Sequence, residues 1–479
     1  MFSQRNWLNG SALIFLGEAL ALPTGLVTAA FLSRQFGPAG YGYLVLAATL
    51  VSWVEWSVTS LFSRASFKLL SEQENWRPFA VSILRLHFLI GAACAGVFWV
   101  SADWIAGIVN EPELAKYLKL FALDIPVFCL ARGYRNVFIS TGRFKPRASA
   151  AVIYWIGRLF FVIFLVWLGY SIAGAIAGII AASVIELAIA VRWLKLPIWR
   201  QTSVPLGTFW RYSVLLFWSA TARRIYQRAD LLALKIFNGS AAQAGFYGAA
   251  QNLLMLSTIF MTSISPLLIS TVSNMLSKNR HLEAQSTARN ALRLALGLLP
   301  LAAIVAGSVH EIVPFVFGSE FTDAAPVFQI LIFSEIAAIL ISLSTALMVA
   351  KGFPNWSLFL NAALILLVLP GYWHFVPQFE MIGAASVTTG GSLIGAIAGM
   401  WLVSRLMPGI FPLQSLFRSA IVTGICFWLS EIWVAEAWQL LIELPVLGIL
   451  AGILFVIFGE ISPKERRTIV RQISVTFGR

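Results

Sequence analysis

Long apolar runs, broken by short polar stretches, fill the chain from Ser11 to near its end. Each run is about 20 residues long, enough for a helix to cross the hydrocarbon core of a bilayer. The runs predict about 14 helices, at 11–33, 40–63, 79–102, 119–140, 149–169, 171–194, 209–236, 245–273, 291–317, 325–350, 356–376, 382–404, 415–433 and 438–459. The connections are short, and no stretch could hold a soluble catalytic module. Arg5 followed by so long an apolar run is read as a retained first helix, not a cleaved signal. Two mixed apolar and basic segments, 64–78 and 274–290, read as interfacial helices or as ordinary loops.

The polar positions orient these helices. Alternate loops carry Arg64, Lys68, Arg77 and Arg85, then Arg143, Lys145 and Arg147, then Arg192, Lys195 and Arg200, then Lys278, Arg280 and Arg289, then Lys351 and Arg405. The tail adds Lys464, Arg466, Arg467 and Arg471. The intervening loops hold few cations and most of the loop acids, among them Glu111, Glu113, Glu311, Glu320 and Asp323. Loop cations collect on the cytoplasmic side, so both termini are expected there and the helix number is even.

An internal repeat runs through the pattern. Tyr41-Gly42 matches Tyr247-Gly248, 206 positions on; Gly142 matches Gly352, and Ile172 matches Ile382, each 210 on. The expected architecture is therefore an all-α polytopic membrane protein made of two parallel six-helix bundles around a central cavity, plus two further helices. The expected domains are 1–200, 201–410, and 411–479 with its basic tail. Parallel repeats place a substrate site at the repeat interface and suit alternating access.

Composition agrees with this reading. The chain of 479 residues is 59% apolar and 11% charged, with mean hydropathy +0.82, where soluble domains carry about 25% charged residues. Its net charge of +13 suits anionic lipid first and an anionic substrate second. Cys94, Cys129 and Cys426 lie in apolar runs, and neither they nor the four histidines show metal spacing. No P-loop and no catalytic constellation is present, so neither an enzyme nor an ATP motor is expected, and no nucleic-acid partner.

The informative charges lie inside the spans. Residues 219–237, SATARRIYQRADLLALKIF, place Arg223, Arg224 and Arg228 along the seventh helix, with Asp230 near its outer end. The fourth helix carries Asp124, Arg132 and Arg135 on one stripe, and the fifth carries Arg158. Buried acids are Glu18, Glu55, Glu186 and Glu335. One arginine paired with Asp124, Asp230 or a glutamate could simply hold helices together. Six deep arginines exceed the local acids, and uncompensated arginines do not face lipid cheaply. Arg132, Arg135, Arg158, Arg223, Arg224 and Arg228 are therefore placed in a wet cavity as anion ligands, since guanidinium forks suit phosphate. Glu18, Glu55, Asp124 and Asp230 are assigned as pairing partners or ion sites, with Glu18 first for coupling and Asp230 foremost a structural partner of Arg228. Gly174-x-x-x-Gly178 and Gly391-x-x-x-Gly395-x-x-x-Gly399 read as close-packing helix faces.

The first-loop pattern Arg34-Gln-Phe-Gly-Pro-Ala-Gly-Tyr-Gly42, its echo Gly245-Phe-Tyr-Gly248 after Arg228-Ala-Asp230, and the 6+6+2 helix layout resemble the multidrug/oligosaccharidyl-lipid/polysaccharide exporter superfamily. Within it the chain resembles the bacterial polysaccharide transporters and O-antigen flippases. The resemblance implies two six-helix bundles forming a V. It implies flipping of an undecaprenyl-pyrophosphate-linked glycan, destined for O-antigen, capsule or exopolysaccharide, across the bacterial inner membrane. It implies no bound cofactor, coupling to a proton or sodium gradient or to the membrane potential, and polymerase and glycosyltransferase partners. A lipid II flippase of peptidoglycan synthesis is the nearest alternative. A multidrug cation exporter is further off, because its cavity would be acidic and aromatic.

Overall fold

The computed structural model describes residues 13–72, 75–198, 229–237, 239–433 and 437–460, with the backbone alone at 62–69, 71–72, 256–263 and 266. The predicted ligands Arg223, Arg224 and Arg228 lie outside the described residues. Every regular element among the described residues is helical. Eight stretches are long and apolar enough to cross a membrane, and three of them, of 49, 51 and 53 residues, hold two spans each. A straight helix of about 50 residues would run about 75 Å, more than twice the hydrocarbon thickness. Each of the three is interrupted instead: at Gly37, at Gly169 to Ser171, and at Glu380.

Those breaks define the helices α1 (13–36) and α2 (38–72). After α3 (Trp76–Ile108), α4 (Leu114–Phe121) and α5 (Asp124–Ser140) come α6 (Phe144–Leu165) and α7 (Ser171–Leu194). Then follow α8 (229–236), α9 (Ala241–Ser277), α10 (His281–Leu296), α11 (Leu299–Gly307), α12 (Val309–Phe317) and α13 (Ala325–Ala350). The last are α14 (354–379), α15 (381–406), α16 (Leu413–Ile432) and α17 (Leu440–Ile457).

Four boundaries among the described residues differ from the sequence expectation. The expected fourth span, 119–140, is divided at 122–123 into the end of α4 and α5. The 34–42 stretch is helical apart from Gly37, so the expected loop is a single-residue break. The segment after the second span continues α2 helically to Glu72. The expected ninth span, 291–317, is cut between Gly307 and Ser308, where a Cβ on Gly307 would lie 1.8 Å from Ser430 Oγ. A helix that must pass this close to a neighbour breaks where glycine and serine allow it.

The backbone repeats itself. Gly142 and Gly352 both have positive φ, 69° and 92°. Each closes its helix with the same pair of bonds: Gly142 N–H to Ile139 O and Arg143 N–H to Phe138 O, then Gly352 N–H to Val349 O and Phe353 N–H to Met348 O. That left-handed cap satisfies carbonyls the helix end would leave orphaned, and glycine adopts it without Cβ strain. Ser171 and Glu380 both sit at φ 49°, opening the helices α7 and α15. Non-glycine residues rarely take such angles, so their recurrence at the repeat spacing marks two copies of one turn.

The described residues fall into two units. The first holds those up to Asn252 together with Tyr372–Ala384, the second Leu253–Gly371 with those from Ala385. In the first unit small residues let helices approach. A Cβ on Gly178 of α7 would lie 2.6 Å from Val162 N of α6. The two motif segments also meet: a Cβ on Gly42 would lie 1.8 Å from Ala241 O, and one on Gly245 2.1 Å from Pro38 O. In the second unit Gly391 and Gly395 pack on Val368 and Leu364 of α14. Inside a bilayer such close van der Waals packing, not transfer from water, holds helices together. Outward-facing Trp167, Val100 and Leu366 present an apolar surface suited to lipid.

Candidate functional site

The site of interest is built inside the first unit around α5. Asp124 opens this helix, and Arg132 and Arg135 follow two and three turns later. Arg135 is only 2% exposed. Its Nη2 donates to Glu186 Oε2 of α7 at 2.7 Å, its Nε donates to Glu186 Oε1, and its Nη1 donates to Glu18 Oε1 of α1 at 2.9 Å. Glu18 also accepts from Arg147 Nη2 of α6 at 2.5 Å and from Trp155 Nε1 at 3.2 Å. Two arginines and two glutamates thus form a neutral, hydrogen-bonded junction of four helices. A buried charge is tolerated when so paired, and the forked guanidinium fits a carboxylate face on. Arg135 and Glu18, assigned to substrate and to coupling from sequence, are placed here as partners of each other.

Arg132 and Arg158 are different. Neither has a carboxylate within salt-bridge distance or a hydrogen bond among the described residues. Arg132 stacks over Phe128, 4.7 Å from the ring centroid, and over Tyr154 at 5.7 Å. Arg158 lies 5.8 Å from the Trp155 centroid. Both are half-buried. Aromatic faces hold a guanidinium in place and favour its charge without consuming its N–H donors. The two arginines therefore present open forks.

Near them lie Glu55 of α2 and Asp124, whose Oε1 and Oδ1 are buried with no hydrogen-bond partner among the described residues. Glu55 is 6% and Asp124 1% exposed.

Asp230 stands apart from this cluster. It accepts from Tyr247 Oη at 2.8 Å and Gln251 Nε2 at 2.9 Å, both on α9, and from the Leu231 amide. The Asp of one motif thus binds the Tyr of the next. Tyr41, the corresponding tyrosine of the first motif, accepts from Asn252 Nδ2 at 2.8 Å.

Sequence reading missed Arg147 and the pair Lys235 and Glu111. Arg147 is 7% exposed although it reads as a loop cation, and its only sequence signal is its position at the start of an apolar helix. Lys235, 1% exposed, donates to Glu111 Oε1 at 2.8 Å, and Glu111 Oε2 accepts from Tyr43 Oη at 2.9 Å. No local pattern links positions 124 residues apart.

An apolar groove of about 570 Å³ runs beside the junction. Its lining includes Leu13, Leu16, Leu20, Val152 and Ile153, together with Lys145.

The fold is shared with known transporters. A lipid II flippase, MurJ, in an inward closed conformation, matches with TM-score 0.74 at 18% identity, covering 96% of this chain and 100% of its own. A MOP superfamily transporter from Pyrococcus furiosus matches with TM-score 0.61 at 13% identity, over 85% and 96% of the two chains. A MATE transporter from Vibrio cholerae matches with TM-score 0.60 at 15% identity, over 84% and 96%. Among curated protein sequences none matches. The family model described as polysaccharide biosynthesis protein matches residues 31–326, which include α5, Arg132, Arg158, Glu55, Asp124 and the two echoed segments 34–42 and 245–248. The chain belongs to the polysaccharide biosynthesis protein family, and its fold is that of the MurJ- and MATE-like membrane transporters.

Proposed function

We propose that the protein is a flippase that moves an undecaprenyl-pyrophosphate-linked oligosaccharide from the cytoplasmic to the outer leaflet of the bacterial inner membrane, for export of O-antigen, capsule or exopolysaccharide. It works by alternating access and is a transporter, not an enzyme, with both termini cytoplasmic. The observation that carries this reading is the pair of open guanidinium groups, Arg132 and Arg158, steadied on aromatic rings and without a carboxylate partner among the described residues. Phosphate oxygens accept from such forks in bidentate fashion, and a low-dielectric setting strengthens each bond. The apolar groove lined in part by Lys145 supports a lipid-linked substrate, since it offers an apolar bed together with a cation.

Coupling to a proton or sodium gradient, or to the membrane potential, belongs to the same reading. Glu18 and Glu186 are filled by arginine, whereas Glu55 and Asp124 each keep a buried carboxyl oxygen with no partner among the described residues, so within the first unit these two acids are the candidates for ion or proton exchange. Glycosyltransferases and a polymerase would supply the glycan and consume it. A second reading, transport of lipid II, is favoured by the near-complete overlay with the lipid II flippase. Export of cationic drugs fits poorly, because open arginines repel cations.

The test is glycan export in cells whose own copy of the gene is deleted. The double variant Arg132→Ala, Arg158→Ala should reach the membrane folded and leave the cells without surface glycan. Normal glycan from that variant would overturn the proposal. Rescue of cells depleted of their lipid II flippase would move the substrate to lipid II.

A further inference from the structure

A second acidic site lies far along the chain, in the second unit, where α17 packs against the break between α11 and α12. Glu443 sits in the first turn of α17, otherwise an apolar helix, and its side chain is fully buried. Its Oε1 lies 2.8 Å from Ser308 Oγ, while its Oε2 is buried with no partner. Glu311, one turn into α12, likewise has a buried Oε2 with no partner. An ionised carboxylate with one neutral hydroxyl for company is costly to bury.

The hydrogen count points to the missing ligand. Ser308 Oγ lies within bonding distance of two acceptors, Glu443 Oε1 at 2.8 Å and Ile304 O at 3.1 Å. A hydroxyl has one hydrogen and can donate to only one of them. If Glu443 carries a proton, the chain closes: Glu443 donates to Ser308 Oγ, and Ser308 donates to Ile304 O. We propose that Glu443, Ser308 and Glu311 form a proton-binding site separate from the arginine site, which the half-exposed Glu311 connects to the surface. On the topology that the loop charges indicate, this end of α17 faces outward, so the proton comes from the outer side. Binding forms one O–H bond on Glu443 and involves no redox step.

Among the described residues the surroundings offer no competing counter-ion. Glu311 is the ionisable group whose field reaches Glu443. α11 and the short turn Ala437–Gln439 have none, His310 of α12 is exposed, and α16 contributes exposed Glu431 and the distant Arg418, bound to Gly459 O.

Infrared difference spectroscopy on the full chain in lipid nanodiscs tests this directly, stepping the buffer from acidic to alkaline. The wild type should show a carboxylic C=O band that vanishes as pH rises. Glu443→Gln, a neutral isostere of the protonated acid, should lose that band yet keep the melting temperature. Glu311→Gln, which removes a neighbouring negative charge, should shift the band's midpoint to lower pH. An unchanged spectrum in Glu443→Gln overturns the proposal, as does a band that responds to sodium at fixed pH and not to protons. Should Glu443→Gln fail to fold, the shift in Glu311→Gln decides alone. The readout requires no transport, so its failure and that of the flippase reading are separable.

Discussion

Arg132 and Arg135 stand three residues apart on α5 and do different work. Arg135 is enclosed by Glu186 and Glu18, and Arg132 is open. Arg135→Met should therefore cost folding. It strands Glu186 as a buried, unpaired carboxylate, and breaking a buried pair from one side costs about 3–5 kcal/mol. Size-exclusion profiles and yield of the variant in detergent check this, and a wild-type profile would sink the junction reading. Arg132→Ala leaves no acid stranded, so its profile should stay normal while glycan export falls. The sequence showed that both arginines were deep. It could not show which was spent, because Glu186 lies 51 positions from Arg135 and Glu18 lies 117 away, and only the fold brings them together. Arg147 escaped for the same reason: a cation near a helix start reads as a loop charge until its neighbour Glu18 is known.

Among elements, the helix breaks were the most legible features, since glycine and proline punctuate an apolar run visibly. The expected boundary between spans at 169–171 coincides with the break at Gly169 to Ser171, and the 325–350 span coincides with α13. The break at Ser308 was not legible, because the close approach of Ser430 at Gly307 comes from another helix, more than 120 positions away. The echoed motifs show a further limit. Their likeness was readable, but that they pack on each other was not. That contact predicts that Gly42→Val and Gly245→Val each lower the melting temperature, since a Cβ would stand about 2 Å from a backbone carbonyl of the neighbouring helix. Gly25 has nothing within 4 Å, so Gly25→Ala should instead be neutral or stabilising by up to about 1 kcal/mol. Thermal-shift curves of the three variants separate the cases, and equal behaviour of all three would remove close packing as the motif's role.

For the whole molecule, the charge of the loops and the repeat of the backbone are two independent statements about symmetry. The backbone copies at Gly142 and Gly352, and at Ser171 and Glu380, show that a turn recurs after about 210 positions. If six spans separate the copies, corresponding turns lie on the same face of the membrane, because an even number of crossings returns the chain to its starting side. The cation-rich loops fall in register with that parity, and on it Lys278 is expected inside and Glu320 outside. One expected span, the ninth, lies between these two positions, and it takes in the end of α10 with α11 and α12, so the assignment turns on whether a helix broken at Ser308 still crosses. Its two pieces, Leu299–Gly307 and Val309–Phe317, are each too short to span alone, and together with the end of α10 they reach the required length. Lys278→Cys and Glu320→Cys, each made in a chain with Cys94, Cys129 and Cys426 replaced by alanine, put the question to intact cells. A membrane-impermeant thiol reagent should label the cysteine at 320 and spare the one at 278 until the membrane is opened. Labelling of both from outside would mean that the broken helix turns back without crossing. The parity would then fail, and with it the outward placement of Glu443.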